Sequence, residues 1–180
     1  MRLNAFFPSL DIGTDPIKIR DWAQAAEDLG YGYIEVPDHV FGAKARDGWT
    51  PLYNEKDAFH ETFVALGFLA AVTERIRLSS GILIAPQRQT GLIAKQAAEV
   101  DVLSGGRLRL GIGLGWNHVE YEALDAEWKT RGARQAEQVE VLRRLWSQDL
   151  VSFTGRFHNL RDVSIVPPPV HMLMRRRTPP

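Results

Sequence analysis

The stretch Arg107-Leu-Arg-Leu-Gly-Ile-Gly-Leu-Gly-Trp116 decides how the rest of the chain is interpreted. Its first part, Leu108–Ile112, alternates in a way that predicts a β-strand, and glycine occupies every second position from Gly111 to Gly115. Gly105-Gly106 ends a helical pattern before the strand, and Asn117 can cap a helix after it. This order of helix, strand, glycine turn and helix is typical of parallel βα architecture, in which binding sites lie at the C-terminal ends of the strands.

Three further segments predict strands upstream. They are Leu3–Phe7, Tyr33–Val36 and Ile76–Ile84, and the gaps between them show helical periodicity. The four strands begin near positions 3, 33, 76 and 108, a spacing typical of βα units joined by right-handed crossovers. Val151–Leu160 contains a glycine turn and predicts a small β-hairpin. We therefore expect an α/β fold with about four parallel βα units and one hairpin.

The composition is that of a globular domain with balanced charge. The 180 residues include 22 Lys+Arg and 22 Asp+Glu, so the net charge of +0 gives no long-range attraction for nucleic acid or an anionic membrane. The absence of cysteine excludes disulfides and a thiolate nucleophile, and the histidines show no spacing typical of a metal site. No segment resembles a secretory signal or a membrane span. We expect a cytoplasmic protein that binds neither nucleic acid, membrane nor metal.

The C-terminal end differs from the rest of the chain. Residues 167–180 begin with three prolines and end in an arginine-rich run without periodicity, which predicts an unstructured tail. Residues 1–166 are expected to form the folded domain. We interpret the tail as the product of a frameshift or an early stop, a hypothesis that comparing the downstream reading frames would test.

Several motifs in sequential order resemble the bacterial-luciferase-like monooxygenase superfamily, and within it most closely the branch that uses the deazaflavin coenzyme F420. Together they extend over about 155 residues, which makes the match far more specific than any one motif. The segments are Gly30–His39, Arg75–Pro86, Ala94–Arg107 and Leu110–Asn117, with similar residues at Arg131–Arg134 and Phe153–Phe157.

The resemblance implies a (β/α)₈ TIM barrel, of which this chain supplies about the first half. It also implies an oxidoreductase that transfers a hydride between F420, or alternatively FMN, and a small organic substrate. A half-barrel exposes its outer strand edges, so we expect a homodimer or higher oligomer. The alternative is a non-catalytic truncated remnant or partial subunit that oligomerises through those edges.

His39 is the residue that the resemblance assigns most directly to catalysis. In the family, the Asp-His pair after the second strand faces the ring of the cofactor, where His39 could hydrogen-bond the ring or move a proton, with Asp38 beside it. The simpler interpretation is that Asp38 caps a turn and His39 is a loop residue. From Val40 to about Asp57 the chain is irregular, and a connection of that length is usually functional or mobile.

The resemblance places the remaining cofactor contacts on the third and fourth strands. Relatives often carry a non-proline cis peptide at the position of Gly81-Ile82. The alternative is that the glycine within the strand only meets a packing requirement. At the end of the fourth strand, Gly113 would make room for the ring system, with Trp116 and Asn117 at the rim. Some sugar-oxidising members have an acidic residue where Trp116 stands, so a sugar substrate is not expected.

Other functional interpretations are weaker. The glycine row invites a Rossmann-type NAD(P) site, but its pattern is G-x-G-x-G and no suitable acidic residue follows about 20 positions later. Arg88 follows the third strand and would either meet an anionic group of the cofactor or substrate or be solvated. Trp22, Trp128 and Trp146 have helical spacing with apolar residues and are expected to be packing anchors.

Overall fold

A computed structural model of the chain describes residues 3–46 and 48–170, and its central feature is a parallel sheet. The four strands lie side by side in chain order, and each pairs in parallel with the next. They are β1 (Ala5–Phe6), β2 (Tyr33–Val36), β3 (Arg77–Ser80) and β5 (Leu108–Arg109). Two of them continue, after a break, into a second parallel pair formed by β4 (Leu83–Ile84) and β6 (Ile112–Gly113).

Helices follow the strands and cover one face of the sheet. They are α1 (Pro16–Asp28), α2 (Thr62–Val72), α3 (Thr90–Leu103), α4 (His118–Ala123) and α5 (Arg131–Leu145). The start of α1 matches its sequence signals, because Pro16 is its first residue and the Asp15 side chain accepts a hydrogen bond from the Ile17 amide at 2.9 Å. Helix α2 packs between α1 and α3, and α5 packs against α3.

Alternation along the strands separates a buried face from an accessible one. Ile34, Val36 and Leu78 point toward the helices and are fully buried together with apolar residues of α2 and α3. The opposite face is polar. There Arg77 and Arg109 both donate to the Tyr33 hydroxyl, at 2.8 and 3.1 Å, and the hydrogen bond from Arg77 leads the causes that lower the pKa of Tyr33.

Arg107 stabilises the sheet at the N-terminal ends of the strands. Its guanidinium donates to the carbonyls of Ser104, Ile76 and Ala70, and to both the hydroxyl and the carbonyl of Thr73, at 2.6 to 3.0 Å. These five bonds satisfy four carbonyls and one hydroxyl at the end of α2, before β3 and after α3. Burial lowers the pKa of Arg107.

The fold confirms the α/β prediction with four parallel βα units, and it also corrects several details. The third and fourth strands are not continuous, because β3 is interrupted at Gly81-Ile82 and β5 at residues 110–111. Helical periodicity would place Leu29, Leu92 and Leu103 on packed helix faces, but they are 77%, 52% and 67% exposed. In α3 the packed side includes Ala94, Ala97 and Ala98, small residues that let the helix lie close to its neighbours.

The C-terminal part contains the predicted hairpin. Strands β7 (Val151–Thr154) and β8 (Asn159–Val163) pair antiparallel. Glu137 of α5 holds the turn by accepting from the amides of Arg156 and Phe157 at 2.9 and 2.8 Å and by pairing with His158 at 2.7 Å. Pro169 is buried, and the remainder of the predicted tail, residues 171–180, lies outside the described residues.

The strand order speaks against the Rossmann alternative. A doubly wound sheet reverses its direction of growth at a switch point, whereas these strands follow one another across the sheet without reversal. Within the part of the chain that the structure describes, β1 pairs only with β2, and β5 pairs only with β3. The architecture is therefore that of about half an open barrel.

Candidate active site

The residues marked by the sequence converge at the C-terminal ends of the strands. His39 follows β2, and its ring centroid lies 5.8 Å from that of Trp116, which follows β6. Gly81 follows β3 and donates its amide to the Val36 carbonyl of β2 at 2.8 Å. The glycine row beyond β5 lies against Ile82 and Ile84. We call this region the mouth.

Glu120 holds His39 in place at the mouth. The Glu120 side chain is fully buried, and its Oε2 lies 3.3 Å from Nδ1 of His39. Its Oε1 accepts from the amides of Val40 and Phe41, so the carboxylate fixes both the ring and the chain that follows it. Because a carboxylate only accepts, the contact favours the tautomer with a proton on Nδ1, which leaves Nε2 of His39 without a partner among the described residues.

Asn117 places Glu120 at that position. Asn117 is the N-cap of α4, and its Oδ1 accepts from the amides of Val119 and Glu120 at 3.2 and 3.3 Å. Its side chain is therefore engaged in the fold, and Asn117 is only 2% exposed. The structure gives Asn117 a role in orienting α4, and the direct cofactor contact expected from the resemblance stays a prediction.

Asp38 is similarly engaged. Its Oδ1 accepts from the Thr62 hydroxyl at 2.8 Å and from Arg88 at 2.5 Å, and its Oδ2 accepts from the Ile84 amide at 2.8 Å. Arg88 also pairs with Glu61 at 2.8 Å. With its side chain only 14% exposed, Arg88 is neither solvated nor free for an anionic ligand, which corrects both alternatives considered from the sequence. Through these contacts, Asp38 and Arg88 connect the end of β2 with α2 and β4 next to His39.

Atoms of the neighbouring strand lie close to the glycine row, and the expected contact of Gly113 with a cofactor ring stays a prediction. A Cβ on Gly113 would collide with Cδ1 of Ile82, and one on Gly115 would lie 2.9 Å from Cδ1 of Ile84. A Cβ on Gly111 would lie 2.5 Å from the Ser80 carbonyl oxygen. Ile82, which is 41% exposed, therefore forms the surface of the mouth at this point. The peptide bond between Gly81 and Ile82 is cis, as the resemblance implied.

Sequence reasoning missed three aromatic residues of the long connection after β2. The connection folds back so that Tyr53 and Phe59 lie 5.1 and 4.7 Å from the His39 ring, and Trp49 lies 6.4 Å from Trp116. Their signal in the sequence was only that aromatic residues recur in an irregular segment. It gave no indication of where the segment would pack.

A buried glutamine also lies at this end of the sheet. Gln87 is the last residue of the short 3-10 turn Ala85–Gln87 that follows β4, and it is 7% exposed, yet neither polar atom of its amide has a hydrogen-bond partner among the described residues. Buried amides normally have partners. The described residues therefore leave both polar atoms of the Gln87 side chain without a partner.

The comparisons with known proteins decide the ancestry of this site. A model of the luciferase-like monooxygenase family matches residues 3–179. The chain belongs to the luciferase-like family. Its members share the parallel barrel whose first half is described above. One solved structure, that of the monooxygenase RslO1 from Streptomyces bottropensis, superposes on this chain with a TM-score of 0.80 at 26% identity. The superposition covers 94% of this chain and 50% of the RslO1 chain.

Luciferase-like relatives include users of both expected cofactors. An F420-dependent glucose-6-phosphate dehydrogenase of Kineococcus radiotolerans is 31% identical over 153 residues, which are 83% of this chain and 43% of the relative. An FMNH(2)-dependent dimethylsulfone monooxygenase of Pseudomonas putida is 31% identical over 154 residues, 84% of this chain and 39% of the relative. The chain thus spans about half the length of the curated relatives it matches.

Further expectations concern membrane spans, location in the cell and nucleic-acid binding. Among the described residues, no helix combines the length and the apolar character needed to cross a membrane. The cytoplasmic location and the lack of nucleic-acid binding stay predictions.

Proposed function

We propose that this chain forms the half of a luciferase-like active site that holds the redox ring and moves the substrate proton, in an oxidoreductase that uses coenzyme F420. The single observation that carries the proposal is the Glu120–His39 pair at the mouth, in which Nε2 of His39 has no hydrogen-bond partner among the described residues and the His39 ring lies 5.8 Å from that of Trp116. A barrel mouth with an oriented histidine is suited to chemistry in which hydride and proton leave separately.

The residues of the mouth fit a planar redox ring. Ile82 offers an exposed apolar surface beside the glycine row, and Gln87 has an unpaired amide at the same strand ends. Gly81, Ile82 and Trp116 would hold the ring, and Gln87 would meet its polar edge. When bound, the deazaflavin or flavin supplies the hydride-transfer chemistry.

His39 would carry the proton of the reaction. In the oxidising direction, the hydroxyl of an alcohol substrate would give its proton to Nε2 of His39, while the bound deazaflavin would supply the acceptor for the hydride from the carbinol carbon, so that a carbonyl product is formed. The Glu120 carboxylate stabilises the positive charge that His39 then carries, because it lies 3.3 Å from Nδ1 in a fully buried position. In the reducing direction the same atoms act in reverse.

Fluorescence titration with F420 and separately with FMN tests the cofactor assignment. We expect saturable quenching of F420 by the protein, whereas saturation with FMN alone would replace F420 by FMN in the proposal. No saturable change with either cofactor would refute it for this chain.

The His39→Gln variant tests the proton step. Loss of a positioned acid–base group lowers turnover by about 10²–10⁴-fold, with cofactor affinity largely kept. His118→Gln is the matched control, because its ring stacks near Trp49 and Trp128 but has no carboxylate partner among the described residues. Equal turnover of the two variants would contradict the assigned role.

A second proposal concerns assembly through the open edges of the half-barrel. The unpaired edges of β1 and β5 are templates for pairing with another chain, and Phe6 at one of them is 57% exposed. We propose that the chain associates with a second copy through these edges. If that assembly binds no cofactor, the chain would be the non-catalytic remnant or partial subunit that stands as the alternative to an oxidoreductase. Sedimentation velocity at micromolar concentration should show a dimer or larger species, and a monomer would contradict the proposal.

A further inference from the structure

The aromatic residues at the mouth point to the class of substrate. Tyr53 and Phe59 surround His39 on one side, and Trp116 lies on another with Trp49 beside it. We propose that these rings form the substrate wall, and that the substrate is an uncharged molecule with an aromatic or alicyclic body and one alcohol or carbonyl oxygen. This inference rests on the proposed function for its chemistry.

The wall is held by its own hydrogen bonds. Arg46 and Trp49 exchange two backbone hydrogen bonds, at 2.8 and 3.0 Å, which fix a tight turn that presents Trp49. Asn54 donates its amide to the Asp57 carboxylate at 2.6 Å and accepts at its side chain from the Lys56 amide at 2.8 Å. Tyr53 therefore precedes a closed turn, and its ring is held next to His39 before any ligand arrives.

The wall carries almost no charge of its own. The carboxylates nearest to His39, those of Asp38 and Glu120, are at most 1% exposed and already accept hydrogen bonds. Three charged residues of the connection, Lys44, Arg46 and Glu55, line a groove of about 420 Å³ against α4. Among the described residues, no Lys or Arg side chain lies over one of the four rings of the wall, so a phosphate or carboxylate on a substrate would lack a cationic partner in that part of the chain.

The free polar groups match a single oxygen function. No hydrogen bond is formed by the Tyr53 hydroxyl or by the Trp116 indole N–H within residues 3–46 and 48–170, and Nε2 of His39 is likewise free. These groups suit one hydroxyl or carbonyl, whereas a sugar would require many more polar partners. Flat aromatic faces favour a flat or compact apolar body.

Ligand-observed NMR on the cofactor-free protein tests the class with benzyl alcohol, cyclohexanol and glucose 6-phosphate as probes. We expect saturable binding of the two apolar alcohols and none of glucose 6-phosphate at the same concentration. Stronger binding of glucose 6-phosphate, or no binding of either alcohol, would overturn the inference.

Substitutions on the connection locate the binding. Tyr53→Ala should weaken benzyl alcohol binding about fivefold to tenfold, which corresponds to about 1.0–1.4 kcal/mol, and Tyr53→Phe should retain most of the affinity. Leu52→Ala is the matched control, because Leu52 is the neighbouring residue and is 72% exposed without a ring contact. Equal effects of Tyr53→Ala and Leu52→Ala, with thermal melts showing all three variants folded, would refute the wall.

The two proposals can fail separately. If the alcohols bind at Tyr53 but neither F420 nor FMN binds, the substrate wall stands and the redox function is refuted. If F420 binds but the alcohols do not, the redox function stands and the substrate class is refuted.

Discussion

Glu120→Gln is the most informative single change in this protein. The glutamine oxygen can still accept from the amides of Val40 and Phe41, but its NH₂ group must then face Nδ1 of His39. A donor at that position requires Nδ1 to be an acceptor, so the proton of the neutral ring moves to Nε2. The free base at the mouth is lost while the shape of the side chain is kept.

The magnitudes follow from the contacts. Two backbone hydrogen bonds lose their charge assistance at about 1 kcal/mol each, so the free energy of unfolding should fall by about 2 kcal/mol. For a chain of this length, that lowers the melting temperature by about 4–8 °C. Turnover of the cofactor-loaded protein should fall by about 10²–10⁴-fold, because the acid–base group has the wrong tautomer, and cofactor affinity should change little.

Imidazole ¹⁵N chemical shifts measure the tautomer directly and need no substrate. We expect His39 to change from the Nδ1–H to the Nε2–H form in Glu120→Gln. Glu122→Gln on the exposed side of the same helix is the control and should leave the spectrum unchanged. An Nε2–H tautomer already present in the native protein, or normal turnover of Glu120→Gln, would refute the reasoning.

Three other predictions concern Arg107 and Glu27 at the base of the sheet and the glycine row at the mouth. Arg107→Lys cannot replace five hydrogen bonds with three donors, so the free energy of unfolding should drop by about 2–3 kcal/mol and the melting temperature by about 4–12 °C in calorimetry. The added methyl group of Gly111→Ala meets a backbone oxygen of the neighbouring strand, so this variant should lose stability in denaturant titrations. Gly113→Ala should push the flexible end of Ile82 into the mouth and mainly weaken cofactor binding. A larger loss of stability in Gly113→Ala than in Gly111→Ala would contradict this reasoning. Burial raises the pKa of Glu27, but hydrogen bonds from three backbone amides outweigh it and hold the pKa below its usual range, so its stabilising contribution is present at neutral pH and is lost as the pH falls below about 4.3. Glu27→Gln should accordingly be less stable than the native protein at pH 7 and should approach it in acid.

Much of the fold could be predicted because its signals are local. Strand alternation, helix caps and the glycine turns act within a few residues, and they fixed the order of strands and helices correctly. The meeting of His39 with Trp116 followed from architecture alone, since parallel strands present their C-terminal ends at one edge. The breaks in the third and fourth strands could not be predicted in the same way, because they depend on where neighbouring strands approach the backbone.

The chemistry of the site was harder to predict because its partners are far apart in sequence. His39 and Glu120 are 81 residues apart, and nothing near either one indicates the other. The Asn117-x-x-Glu120 spacing does resemble a helix capping box, so it could have drawn attention to Glu120 as a residue of the first turn. It would have given the wrong partner, because the carboxylate reaches the loop after His39 instead of the cap.

At both ends of the half-barrel, charged side chains form hydrogen bonds with backbone groups of the loops, but the consequences differ. At the base, Glu27 and Arg107 satisfy backbone amides and carbonyls that loops leave unpaired, and no candidate site residue touches them. At the mouth, Asp38 and Glu120 do the same for the chain around His39, so the groups that stabilise these loops also orient the proposed proton carrier. Variants at the base should therefore change stability alone, whereas variants at the mouth should change stability and turnover together. That coupling follows from the shared carboxylates, because one Glu120 side chain cannot release the amides of Val40 and Phe41 without also releasing His39.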